Sequence, residues 1–162
     1  MAAAIWLLPV AAAETGDFDA DRQLQLVIDE HWEYLLSEHP VMATGAGVDA
    51  FNDRMPRVSA ADRSRRLATE RRFLARVRDL DRSRLSPKGR INADLLAWVL
   101  EDSIGAYELN LARIPFNTFS GFFMTALTAS SGVRMTDAGD YRDYLARLRD
   151  IPRYFAENIE NL

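Results

Sequence analysis

Two histidines, His31 and His39, are the side chains of this sequence best suited to hold a metal or move a proton near neutral pH. Eight positions apart on one helix, they share a face at an axial separation of about 12 Å. A single metal cannot bridge that gap, and the HExxH spacing that does bring two histidines together on a helix face does not occur. Glu30, Glu33 and Glu38 lie close by, so a chance metal site is one reading, set against ordinary surface or helix-end histidines. The second reading is adopted. The sequence has no cysteine, which removes disulfides, thiolate nucleophiles and every Cys-based zinc or iron–sulfur site. No catalytic, cofactor-binding or metal-ligating residue is therefore assigned.

Other candidates are weaker. Asp102 falls beside the apolar stripe of a helix, between Val99 and Ala106, where a buried carboxylate wants a partner. An arginine from another helix is the ordinary partner, and a substrate-facing acid is the sharper alternative. Gly45–Ala46–Gly47 is a lone GxG without a strand before it, so it does not read as a phosphate loop. Ser130–Ser131–Gly132 lacks the nucleophile-elbow pattern. The aromatic run Phe116–Phe123 reads as core, with a ligand pocket and a face awaiting a missing partner as the alternatives.

Between Arg57 and Arg90 stand twelve basic and four acidic residues, while the rest of the chain is net acidic by twelve. Nucleic acid or acidic lipid is the sharp interpretation. No stacking aromatics interleave those arginines, which share their helix with a normal apolar stripe, so a solvated or inter-domain face is expected and no nucleic acid.

Helices must position all of these residues. From Asp19 to His39, Leu24, Val27, Ile28, Trp32 and Leu35 recur at three- and four-residue steps and form an inward face. Pro40 ends that helix, and Gly45, Gly47, Asn52, Asp53 and Pro56 mark a loop. Ser59 with Asp62 starts a second helix that runs to about Asp81, with Leu67, Phe73, Leu74, Val77 and Leu80 inward. Ser86 and Pro87 start a third, which turns Ile91, Leu95, Trp98, Val99, Ala106 and Leu109 inward and stops before Pro115. Phe116–Leu127 is expected as a short buried helix with an irregular lead-in. Asp137 caps a last helix with Tyr141, Tyr144, Leu145 and Leu148 inward; Pro152 kinks or restarts it, and Phe155 and Ile159 continue the stripe. With no strand pattern, the fold class is all-α, five to six amphipathic helices, an incomplete part of a larger long-helix fold.

The 162 residues suit one domain, and a hydrophobic fraction of 48% with 27% charged residues matches a globular protein. A net charge of −4 argues against a mainly electrostatic partner. Residues 1–13, MAAAIWLLPVAAA, are too few to span a bilayer, so no stable membrane span is expected. They match the apolar region of a signal peptide with Ala11 and Ala13 before the cleavage point, although no basic residue precedes them. The expected location is periplasmic or secreted, with 14–162 as the helical N-terminal region of a larger domain. At the other end, Leu162 falls inside an amphipathic pattern without a glycine cap, which reads as a cut through a longer helical protein.

Three stretches, His31–Ser59, Ser86–Asp102 and Asp140–Leu162, together resemble the N-terminal third of the bacterial proteins catalogued as domain of unknown function 885. The matched pieces are the helix ending in Pro40, the A-T-x-x-G turn at Ala43–Gly47, the aspartate-plus-proline loop to Ser59, and the YLARL-x-x-I-P helix at Tyr144–Pro152. The resemblance implies a long-helix fold similar to the HExxH zinc peptidases, in longer and often exported proteins. Zinc is implied only for the full-length family, whose HExxH and glutamate ligand come after the region matched here. No cofactor is expected in this chain, and no functional residue carries over. The implied role is a non-catalytic wall or lid of a substrate cleft, with the remainder of the parent polypeptide as partner and a peptide as the parent's substrate. The rivals are a free-standing exported helical binding module and a gene fragment without function.

Overall fold

The computed structural model describes residues 18–162 apart from 115 and 118. The apolar run at 1–13 lies outside the described residues. Among them, six α-helices follow in order: α1 (Phe18–Glu38), α2 (Pro40–Gly45), α3 (Ala60–Arg78), α4 (Pro87–Glu108), α5 (Phe122–Leu127) and α6 (Ala138–Glu160). Short 3-10 turns lie at Asp49–Phe51 and Leu111–Arg113. No strand occurs among the described residues, where one bridge joins Phe116 and Gly121. The class is all-α, as expected.

Local chemistry sets the starts. The Ser59 hydroxyl accepts from the Asp62 amide at 3.2 Å and the Ser86 hydroxyl from the Gly89 amide at 3.0 Å, each satisfying one orphan N–H of a helix N-terminus. Asp137 and Asp140 form a reciprocal capping box at α6. Pro40 follows the end of α1 as expected, but what comes after it is corrected. Pro40 does not open a loop: it is the first residue of α2, a position where its missing N–H costs nothing and its fixed φ suits the helix. Pro152 lies inside α6, which continues through it to Glu160 without a restart.

The main core lies where α1, α3 and α4 meet. Leu24 and Val27, Phe73, Leu74 and Val77, and Leu100 and Ile104 are buried there together. Burying a leucine of this kind contributes roughly 1.5–3 kcal/mol. On α1 the inward face is rotated from the expected one: Trp32 is exposed and His31 takes the buried position. The correction on α4 is larger. Ile91, Leu95, Trp98, Val99 and Leu109 are all exposed, Trp98 to 66%. The buried stripe is instead Gly89, Ala93, Leu100 and Ile104, with Leu96 and Ala97 half-buried. Both stripes are apolar at helical spacing, and the one with the smaller residues lets α4 approach its neighbours closely. Gly89 shows why: a Cβ there would stand 2.2 Å from Asp21 Oδ1, which accepts a bond from the Ser86 amide.

The second half is built around α6. Residues 54–58 form neither helix nor strand between the Asp49–Phe51 turn and α3, and their backbone needs partners that no ladder supplies. Side chains of α6 supply them. Asp150 accepts from the Met55 amide at 2.9 Å and Glu157 from the Val58 amide at 2.7 Å. Arg153 donates to the Met55 and Pro56 carbonyls, and Asn161 to that of Val58. This requirement turns the polar side of α6 inward. Tyr141, Leu145, Leu148 and Ile159 are consequently exposed, against expectation, while Arg147, Tyr154 and Asn158 are buried. The Phe116–Leu127 stretch is also corrected. It contains the expected short helix and irregular lead-in, but Phe116, Phe119, Phe123, Met124 and Leu127 are exposed. Phe122 alone of its phenylalanines packs inward, edge-on to Phe155 at 5.0 Å.

Arg147 is fully buried and none of the acceptors of its hydrogen bonds is a carboxylate, although the charge of Asp53 acts on it. Its guanidinium donates to the Ala129 carbonyl at 3.0 Å, to that of Phe51 at 2.9 Å and to Thr44 Oγ1 at 2.9 Å, with Asn52 Oδ1 at 3.2 Å and the Pro40 carbonyl at 3.4 Å also within reach. Asn52 passes the polarity on by donating from Nδ2 to Asp49. One side chain thus ties α6 to α2, to the first 3-10 turn and to the end of α5.

Candidate functional site

The site is assembled where α1 hands over to α2, against the beginning of α3 and the end of α4. Pro40 forces the residue before it out of helical geometry, so His39 sits at φ −123°, ψ 69° as the N-cap of α2. It is half-buried and borders two cavities of about 400 and 410 Å³. Burial lowers the pKa of His39, the charge of Arg66 adds to the effect, and Glu38 and Glu70 oppose it. The imidazole is held neutral over a wider range than in water.

Beneath His39, Glu38 collects two arginines of α3. Arg65 reaches both of its carboxylate oxygens, at 2.6 and 2.9 Å, and Arg66 Nε binds one of them at 2.7 Å. Burial alone would raise the pKa of Glu38, but these hydrogen bonds outweigh it and hold the carboxyl below its ordinary value. Arg66 is itself buried and also donates to the Arg57 carbonyl at 2.6 Å. Burial raises the pKa of Tyr34 to about 12 and pushes that of Tyr107 up as well.

The first cavity lies between α3 and the last turns of α4. His39, Arg63, Ser64, Ser103, Tyr107 and Asn110 give it polar groups, and Leu67, Ala106 and Leu111 an apolar side. Asn110, just past the end of α4, adopts the left-handed conformation (φ 53°, ψ 44°), which asparagine tolerates well at such a position. Arg63 differs from its neighbours on α3. Arg65, Arg66, Arg71, Arg76 and Arg78 each pair with a carboxylate of α1 or α4. Arg63 Nε and Nη1 are shut from water and have no hydrogen-bond partner.

The structure separates the two histidines instead of joining them. His31 is buried in the core, edge-on to Phe73 at 5.1 Å, with its Nε2 3.4 Å from Glu70 Oε2. Both of those atoms are closed to water without a hydrogen bond. The reading of His31 as a surface or helix-end residue is thus corrected, and His39 is indeed at a helix end. Among the described residues no group of three or more His, Asp or Glu converges as metal ligands, so this donor set does not fit a zinc site. Asp102 is exposed beside Val99, neither buried against an arginine nor turned into a cavity. Gly45–Ala46–Gly47 closes α2, and only Gly47 needs its freedom, at φ +82°. Ser130 and Ser131 lie exposed in the turn after α5.

The basic stretch is the face of α3 toward the acidic residues of its neighbours. Besides the pairs above, Arg82 binds Asp94 on α4. The charge contrast along the sequence, twelve basic residues against an acidic remainder, was the available signal for these pairs. Nothing comparable marks Arg147, because a helical arginine reads the same in sequence whether it faces water, a carboxylate or a cage of carbonyls.

No curated protein and no solved structure matches the chain. The family model described as bacterial protein of unknown function (DUF885) matches residues 40–162. That span begins at Pro40 and holds the Thr44–Asn52–Arg147 cage, the 54–58 stretch with its α6 partners, and the Arg63 cavity. The chain belongs to the DUF885 family of bacterial proteins.

Proposed function

We propose that this chain is a non-catalytic helical region of an exported zinc-metallopeptidase-like protein, where it forms a wall or lid of the substrate cleft and is covered by the remainder of the parent polypeptide. One observation carries the reading: α4 and α6 each present a continuous apolar face outward. On α4 it consists of Ile91, Leu95, Trp98 and Val99, and on α6 of Tyr141, Leu145, Leu148 and Ile159. Scattered exposed apolar residues are ordinary, whereas whole helical stripes of them mark a surface that another body covers. Zinc, in this reading, is held by residues elsewhere in the parent and supplies a polarised carbonyl and an activated water there. This chain supplies shape and substrate admission. No helix among the described residues is long and apolar enough to cross a membrane.

The reading frame beyond the codon for Leu162 tests this. An in-frame HExxH with a downstream glutamate is the expected outcome, and a stop codon followed by unrelated sequence overturns the cleft role. Export is tested separately by the N-terminal sequence of the protein from its native host, expected to begin near Glu14. Retention of Met1 removes the export part of the proposal.

A further inference from the structure

We propose, resting on the reading that the remainder of the parent covers this chain, that the outward face of α4 is one half of a helix–helix seam whose other half carries a basic side chain paired with Asp102. On α4 the positions Ile91, Leu95, Trp98, Asp102, Gly105 and Leu109 follow one another at alternating steps of four and three residues. That alternation is the period of about 3.5 residues by which two helices stay in contact along their length. Ile91, Leu95, Trp98 and Leu109 are each more than half exposed. At about 1.5 Å of rise per residue the stripe extends for about 27 Å, which a helix laid along it covers and a single inserted side chain does not.

Asp102 stands inside this stripe and is exposed. The other acids of α4 at Asp94, Glu101 and Glu108 recur every seven residues along a different flank, where Arg82, Arg78 and Arg71 engage them. Asp102 has no hydrogen bond and no ion pair among the described residues. A helix that covers the stripe takes this carboxylate out of water. Without a counter-charge it opposes docking, whereas paired with an arginine or lysine it fixes the register of the two helices. The stripe thus specifies its occupant: apolar where it meets Ile91, Leu95, Trp98 and Leu109, and basic where it meets Asp102. The α4 stripe of a second copy is a poorer occupant, because it brings another Asp102 and no base.

The test uses the whole chain with Trp6 and Trp32 replaced by phenylalanine, so that Trp98 alone reports on the stripe. Three synthetic amphipathic peptides of about 20 residues, with leucines at the same alternating steps, differ only at the central stripe position, which is arginine, glutamate or leucine. The arginine peptide should bind one-to-one and move the Trp98 emission to shorter wavelength, with the glutamate and leucine peptides about tenfold weaker or more. D102N should remove most of that preference and D102R should reverse the order of the arginine and glutamate peptides, both variants melting as the unaltered chain does because the side chain is exposed. Equal affinity for the arginine and glutamate peptides, an order unchanged in D102R, or no saturable change at Trp98 with any peptide would overturn the proposal. A dimer of the chain alone that shields Trp98 and is abolished by D102R gives the stripe to a second copy and overturns it as well. These measurements need this chain alone: their failure leaves the cleft reading standing, and a stop codon after Leu162 removes the parent as the source of the helix without touching the selectivity for a base.

Discussion

Where α1, α3 and α4 meet, Leu24, Phe73, Leu74 and Leu100 exclude water from one another, and most of the charges sit outside as pairs between helices. Where α6 meets the 54–58 stretch and α2, the centre is occupied by a guanidinium, and backbone outside any helix or strand is satisfied by carboxylates and an amide. The buried apolar residues of that second cluster are only Met55, Ala129 and Tyr154. The first half is held by non-directional burial, which tolerates variation of shape. The second is held by directional bonds, each of which is costly to leave unmade.

The sharpest way to break this contrast is to delete the centre of each half. Arg147→Met should cost about 3–5 kcal/mol, because it takes the guanidinium donor from the Ala129 and Phe51 carbonyls in buried surroundings, while Thr44 keeps its bonds to Asn52 and the Pro40 carbonyl. Leu100→Ala, the apolar counterpart, should cost about 3 kcal/mol through lost burial and the cavity left behind. Urea denaturation of both variants measures this. A loss under about 1 kcal/mol for Arg147→Met would show that the second half is held by something else.

Acid sharpens the comparison at the junction between the halves. Burial and Arg66 hold the native pKa of His39 below its ordinary value, with Glu38 and Glu70 opposing, so the unfolded chain takes up that proton first as pH falls. The stability His39 contributes is complete above about pH 6.5 and declines as pH drops from there toward the native pKa. Glu38 and Asp150, whose native pKa values are lowered, contribute stability present above the unfolded carboxylate range and lost below it, so they act in a separate, more acidic window. The midpoint of thermal unfolding should fall between pH 7 and 5.5, and His39→Gln should flatten that decline. An equally steep decline in the variant would assign the acid sensitivity to other groups.

The smallest effect belongs to the exposed pairs of α3. Arg76→Ala removes a pair to Glu30 in which both side chains are about half exposed, and should change stability by no more than about 0.5 kcal/mol. A loss above about 2 kcal/mol would mean that the first half depends on its charges as much as the second does.

Much of the fold was legible before the structure. Ser59, Ser86 with Pro87, and Asp137 announced three helix starts, because capping chemistry is local and needs only the next three or four residues. Leu24 and Val27 on α1, and Phe73, Leu74 and Val77 on α3, were legible as core because each lies on a clear helical stripe. The A-T-x-x-G turn and the YLARL segment were both visible as pieces. Their meeting through Thr44 and Arg147, 103 positions apart, was not.

What the sequence by itself determined was the helical class, most of the helix boundaries and the opposition of a basic α3 to acidic neighbours, all of which rest on spacing and composition. Only the tertiary structure decided which of two apolar stripes α4 buries, that α6 turns its polar side inward, and that Arg65 and Arg66 converge on Glu38 while two nitrogens of Arg63 are closed to water without a partner. The physical reason is the same in each case. A helix in sequence shows the periodicity of its faces, but which face goes inward depends on what the opposite wall needs, and the irregular backbone of 54–58 needed hydrogen-bond partners more than α6 needed to bury leucines.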